Sequence, residues 1–329
     1  MTTPAAPGSS MTPNRPSQRP SPPRLRSVAS LLHTPNLTII GSTIVGYRLA
    51  TTLGAVWLTN LATALLPATP PTFQALTAEL AGKLLLCGGL LVLVAARGWW
   101  QSAALTARPW LPPWLRRVGW MVLALLLARI GATVWRLAGV VAGRPSLAHG
   151  LPLLVAVVVA TMALTAFAEE LVFRGLLVNL LLDAWGNSRA GLYRAALVSS
   201  GLFGVGHLVS QGPTSQVLAQ AADATAIGLV WAGLRLRTGS IWSGVIMHWL
   251  GNTAAMLTML GSASAWWVGV PMMRLSWAHL VFLPLLALAG IGLIEDHCQS
   301  LEREQSHQQP APAEAAVTRD GQHTARPGP

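Results

Sequence analysis

Eight apolar runs divide the chain, at roughly 37–66, 74–96, 118–135, 151–182, 192–210, 216–234, 240–260 and 277–294. An α-helix needs about 20 mostly apolar residues to cross a bilayer, and each run is near or above that length. Hydrophobic residues make up 52% of the chain and charged residues only 10%, with Gly and Pro spread through the apolar stretches. That composition excludes an ordinary soluble domain and predicts an all-α polytopic membrane protein of about eight transmembrane helices. The fourth run exceeds what a bilayer requires and is expected to end in an interfacial segment near Trp185.

The two ends differ from the middle. Residues 1–35 are rich in Pro, Ser and Thr, carry Arg15, Arg19, Arg24 and Arg26, and contain no acid. They lack the order of a signal peptide and read as a disordered basic arm, with Met11 an alternative start to Met1. Residues 36–294 form the expected transmembrane domain, and residues 295–329 a disordered polar tail. The two cysteines, Cys87 and Cys298, make neither a disulfide framework nor a thiolate metal site.

A net charge of +11 raises the question of nucleic acid. The basic residues are dispersed among short loops rather than set in a stripe with aromatics, so no nucleic-acid partner is expected. Membrane topology accounts for them. With a cytoplasmic N-terminus, fifteen Arg fall on that side and only Arg136, Arg144 and Arg274 on the other; Arg48, Lys83, Arg129 and Arg174 fall inside spans. Both termini are therefore expected in the cytoplasm, with the cell (plasma) membrane as the expected location. Tryptophans near proposed span ends, such as Trp99, Trp135, Trp185 and Trp242, suit headgroup anchoring.

Three polar clusters interrupt the apolar runs: Glu169-Glu170-Leu171-Val172-Phe173-Arg174, Phe203-Gly204-Val205-Gly206-His207 and His248-Trp249-Leu250-Gly251-Asn252. An ionisable group at membrane depth costs at least ~2.5–3.5 kcal/mol on the mildest insertion scales, so such groups mark function by default. Residues four apart share a helix face. Glu170 therefore pairs with Arg174 while Glu169 points about 100° away, and Phe203 with His207 and His248 with Asn252 each share a face. One arginine cannot neutralise two carboxylates, which leaves a surplus acid available for chemistry. Gly201, Gly204 and Gly206 are expected to let helices approach closely around His207.

Two chemistries use this inventory. A carboxylate assisted by an imidazole activates water as a general base, while imidazole and amide donors hold the oxyanion of a tetrahedral intermediate. Alternatively Glu169, His207 and His248 supply three zinc ligands with a fourth position open for water. The residues alone serve both, so no cofactor is required and a divalent metal such as zinc remains an alternative.

The ordered set EExxxR, FxxxH and HxxxN on successive membrane helices resembles the CPBP family of intramembrane endopeptidases, which includes the Ras-converting CAAX endopeptidases and bacteriocin-processing relatives. The resemblance covers about residues 150–260 and places the catalytic core in the fourth to seventh spans. It implies that Glu169 activates water with His207 as partner, and that His248 and Asn252 stabilise the oxyanion. It also implies that Glu170 and Arg174 are structural, and that Phe203 packs. The implied partners are the lipid bilayer and a membrane-associated peptide or lipidated, CAAX-like protein substrate.

Two rival readings use the same residues. Some relatives are linked to bacteriocin immunity or act as interaction proteins, which implies a non-proteolytic immunity or scaffolding role. A proton-coupled transporter with Glu and His as relay is disfavoured by the lack of an internal repeat. Asp223 in the sixth run is a weaker candidate for orienting a histidine. Arg48, Lys83, Glu79 and Arg129 are expected to snorkel or pair near interfaces.

Overall fold

The computed structural model describes residues 35–65, 71–107, 113–142, 151–208, 214–261 and 277–308. The expected arm, the chain beyond Gln308, and the loops carrying Arg144 and Arg274 lie outside the described residues, as do the side chains of Arg48 and Arg129. Every regular element among the described residues is helical: α1 Pro35–Leu65, α2 Pro71–Arg97, α3 Pro113–Ala142, α4 Leu151–Glu170, a π-helical segment Leu171–Leu177, α5 Val178–Trp185, α6 Arg189–His207, α7 Thr214–Thr238, α8 Trp242–Gly261 and α9 Trp277–Gln308.

Local sequence explains many of these boundaries. Helices α1, α2 and α3 each begin on a proline, whose fixed φ and missing N–H suit the first helical position. Helices α2, α5 and α7 are followed by Gly98, Gly186 and Gly239, all at positive φ, the left-handed conformation that closes a helix at low cost only in glycine. Ser188 caps α6, its hydroxyl accepting from the Gly191 amide at 3.2 Å.

Five stretches are long and apolar enough to cross a membrane: Gln74–Arg97, Arg116–Trp135, Leu151–Trp185, Thr214–Thr238 and Val281–His307. The protein is integral to a membrane on that basis. The eight expected spans correspond to helical rods, but over their described residues α1, α6 and α8 do not meet the same measure. In α6, Arg194, Ser199, Ser200 and His207 dilute the apolar content, and its Ala195, Ala196 and Phe203 are buried against other helices rather than exposed. Outward-facing Leu85, Val92, Leu125, Trp135 and Phe282 present apolar surface, as lipid contact requires.

One expectation about chain organisation is corrected. The polar tail does not begin at Glu295: α9 continues through it to Gln308. Its polar residues are anchored rather than free. Both Glu295 oxygens accept from Arg189 Nη2, at 2.8 and 2.7 Å, and Glu295 Oε2 also accepts from Tyr193 at 2.9 Å. Asp296 accepts from Arg237 Nε, and Cys298 is buried in a cluster with Val178, Leu192 and Ile294. Fixing the side chains on one helical stripe keeps the backbone helical although the sequence turns polar.

Helices α7 and α9 meet through glycine. A Cβ on Gly290 would lie 2.7 Å from the Leu229 carbonyl carbon and 2.8 Å from the Val230 amide nitrogen, and one on Gly233 would lie 2.9 Å from the Gly290 carbonyl oxygen. Gly290→Val should lower the melting temperature in detergent through the ~1–3 kcal/mol that overpacking costs. Gly292→Val, where a Cβ meets nothing within 4 Å, should leave it unchanged. Equal effects of the two in a thermal unfolding assay would mean that α9 does not rest on α7 in this way.

Candidate active site

The three motifs converge where α4 passes into the π-helical segment. Glu169 and Glu170 end α4, Arg174 follows within Leu171–Leu177, and all seven residues of that segment are buried. A π-bulge inside an α-helix is rare and occurs mainly at functional sites. Here it is supported from α6, where the Ser199 hydroxyl donates to the Phe173 carbonyl at 2.9 Å. It is also supported from the turn after α2: a Cβ on Gly175 would lie 2.8 Å from the Ala103 carbonyl oxygen, so only glycine allows this approach.

Arg174 is fully buried and donates from Nη1 to Glu170 Oε1 at 3.0 Å, the pairing that the spacing predicts. Its Nε and Nη2 have no hydrogen-bond partner among the described residues. Aromatic faces take their place: the guanidinium carbon lies 4.3 Å from the Phe203 ring centroid, 5.2 Å from that of Trp231 and 5.9 Å from that of Phe173. Such cation–π contacts gain strength when the cation is desolvated. Gly228 on α7 leaves the room, since a Cβ there would stand 2.7 Å from Arg174 Nη2.

His248, on α8, lies between the two carboxylates. Its Nδ1 is 3.1 Å from Glu170 Oε1 and its Nε2 is 3.5 Å from Glu169 Oε2. Trp231 stacks on the ring with centroids 4.1 Å apart, fixing its plane. A neutral imidazole has a single N–H, so with one proton it can donate to only one of these acids at a time. Gly244, one turn earlier on α8, faces Glu170: a Cβ there would lie 2.9 Å from Oε2. Glu169 has a further neighbour in Tyr47 of α1, whose hydroxyl donates to Oε1 at 3.3 Å.

His207 stands at the end of α6 with its ring edge-to-face on Phe203, centroids 4.8 Å apart. Its Nδ1 lies 2.9 Å from the Phe203 carbonyl oxygen, which can only accept. The neutral ring thus carries its proton on Nδ1 and keeps Nε2 as the acceptor nitrogen. Asn252 is half-buried one turn beyond His248. Asp223 is half-buried on α7. Among the described residues no three His, Cys, Asp or Glu side chains are arranged to hold a metal ion.

Residues 151–254 match the family model described as type II CAAX prenyl endopeptidase Rce1-like. Over these residues the chain is similar to the CAAX-protease family. All seven motif residues, from Glu169 to Asn252, fall inside the match, and the resemblance to the CPBP endopeptidases holds over this segment, about a third of the chain. No curated protein and no solved structure matches the chain. The Rce1-like family is one of proteases, which supports reading the chain as an enzyme.

Sequence reasoning missed four residues of this constellation. Trp231 was discoverable as a tryptophan in mid-span, while so many others cluster near helix ends. Gly228 and Gly244 carried no signal separating them from the other glycines. Tyr47, one of two tyrosines in the chain, lies outside the family match.

Arg174→Met should destabilise the protein by ~3–5 kcal/mol, because Glu170 is left buried without its cation. Gly228→Ala should act in the same direction but more weakly, since a shift of the guanidinium can relieve the contact. Thermal unfolding in detergent checks both; wild-type melting of Arg174→Met would show that the buried pair does not hold the core.

Proposed function

We propose that the protein is an intramembrane endopeptidase that hydrolyses a peptide bond of a membrane-associated or lipidated, CAAX-like substrate by water activation at Glu169. One observation carries this reading: Glu169 is buried with its Oε2 3.5 Å from His248 Nε2, beside the Glu170–Arg174 pair, in a segment matched by the model of a protease family.

In the proposed reaction Glu169 takes a proton from water with His207 assisting through Nε2, and the water oxygen bonds to the scissile carbonyl carbon. The carbonyl π electrons move onto oxygen, where the Asn252 amide and a protonated His248 donate hydrogen bonds. Collapse restores the carbonyl and breaks the C–N bond, and Glu169 returns the proton to the departing amine. Glu170 accepts from His248 Nδ1 and keeps Nε2 turned toward Glu169. Arg174 holds Glu170, and Phe203 packs between the guanidinium and both imidazoles. The reaction needs no cofactor.

The proposal includes placement: all eight rods cross the cell membrane with both termini in the cytoplasm, supported by the excess of arginine on the loops of that side. It takes lipid and a peptide or lipidated protein as partners and no nucleic acid.

Detergent-purified wild type and Glu169→Gln are compared on a library of membrane peptides, unmodified and farnesylated, with and without a strong chelator. Wild type is expected to cleave in the presence of chelator, and Glu169→Gln to fall by ~10²–10⁴-fold, the range for a general base. Turnover by Glu169→Gln at the wild-type rate would remove the mechanism. Loss on chelation with recovery on zinc would make the same residues metal ligands, and absence of cleavage by either protein would favour immunity or scaffolding. Asn252→Ala should lower kcat by ~10²–10³-fold with little change in KM, as loss of an oxyanion donor does; a change in KM alone would move Asn252 to substrate binding.

A further inference from the structure

Glu169 is held from two directions, and one of them comes from outside the family core. Its Oε2 faces His248 of α8 at 3.5 Å, while its Oε1 accepts the Tyr47 hydroxyl of α1 at 3.3 Å. Tyr47 is only 4% exposed and its ring meets Phe173 edge-on, with centroids 6.4 Å apart. The phenol is thus oriented by the same π-helical segment that carries Arg174. A buried phenolic hydroxyl has to find a partner, and here it donates to the Glu169 carboxylate. Tyr47 precedes residues 151–254 by a long stretch of chain, so this contact belongs to the whole helical bundle and not to the matched core.

We propose that Tyr47 is a positioning residue for the peptide hydrolysis assigned to Glu169, a step that rests on the function proposed above. A carboxylate is symmetric and rotates about its last torsion. With Oε1 bonded to Tyr47, the group presents Oε2 toward His248 in one orientation. The hydroxyl donates without bringing a positive charge, so it orients the carboxylate without forming an ion pair with it. Helix α1 thereby becomes part of the catalytic apparatus although it supplies no group that touches substrate.

The test is Tyr47→Phe, which removes the hydroxyl and keeps the ring against Phe173. On the membrane-peptide library, kcat should fall by about 10- to 100-fold, the range for losing a hydrogen bond to a charged group. KM and the melting temperature should be unchanged. A second readout needs no substrate: a membrane-soluble carbodiimide should modify Glu169 several-fold faster in Tyr47→Phe, read by mass spectrometry, because the carboxylate is no longer held by the phenol. Equal modification of both proteins would overturn the proposal, as would wild-type kcat in Tyr47→Phe, or a loss of kcat that tracks a loss of thermal stability. Glu169→Gln, run in parallel, separates the two readings. If it cleaves normally the proposed function fails, and if it is inactive while Tyr47→Phe is normal only the role of Tyr47 fails.

Discussion

A guanidinium without water has to be satisfied by what surrounds it, and the arrangement around Arg174 follows from that requirement. Taking a cation into an apolar interior costs several kcal/mol even after relaxation, and a single hydrogen bond does not offset it. Glu170 supplies the opposite charge, while Phe173, Phe203 and Trp231 supply π faces for the rest of the group. These residues come from the continuous rod of α4 and the π-helical segment, from α6 and from α7, so satisfying one side chain fixes three rods relative to one another. Gly228 is part of the same solution, because any larger residue would compete with Nη2 for its space.

The same pair determines the electrostatics beside it. Glu170 gives one oxygen to both Arg174 and His248, so its charge is compensated and its lone pairs are directed. Glu169 lies against different groups, with Oε2 toward His248 and Oε1 accepting from the Tyr47 phenol. Two adjacent carboxylates thus acquire different characters through environment alone. The first is tied to a guanidinium at 3.0 Å, and the second meets an imidazole and a phenol.

Much of this was readable in the sequence, and what was readable was short in range. The Glu170–Arg174 contact follows from four-residue spacing, and it survives although Arg174 lies in the wider π-helical segment, because i and i+4 remain on one side there. The approach of α6 at Gly204 was likewise visible: a Cβ there would run into Thr225 Oγ1 and the Ala221 carbonyl. Gly201, one turn earlier, meets open space, so glycine spacing alone did not say which residue makes the contact. The length of α9 was hidden because its polar end is ordered by Arg189, Tyr193 and Arg237, residues distant in sequence. The π-helical segment, the Trp231 stack and Tyr47 have the same origin in tertiary contacts that no local period records.

A membrane interior makes these long-range contacts decisive rather than decorative. In water a carboxylate that loses one donor gains a solvent molecule, and its orientation costs little to change. In a buried site closed by α1, α6, α7 and α8, each oxygen of Glu169 depends on a group from another helix, so orientation and helix packing are one property. A displacement of α1 that would be silent in a soluble protein therefore reaches the carboxylate directly through Tyr47, without crossing the residues that define the family. The short motifs bring the polar groups into the apolar interior, and a helix outside the matched segment helps to set how Glu169 is aimed.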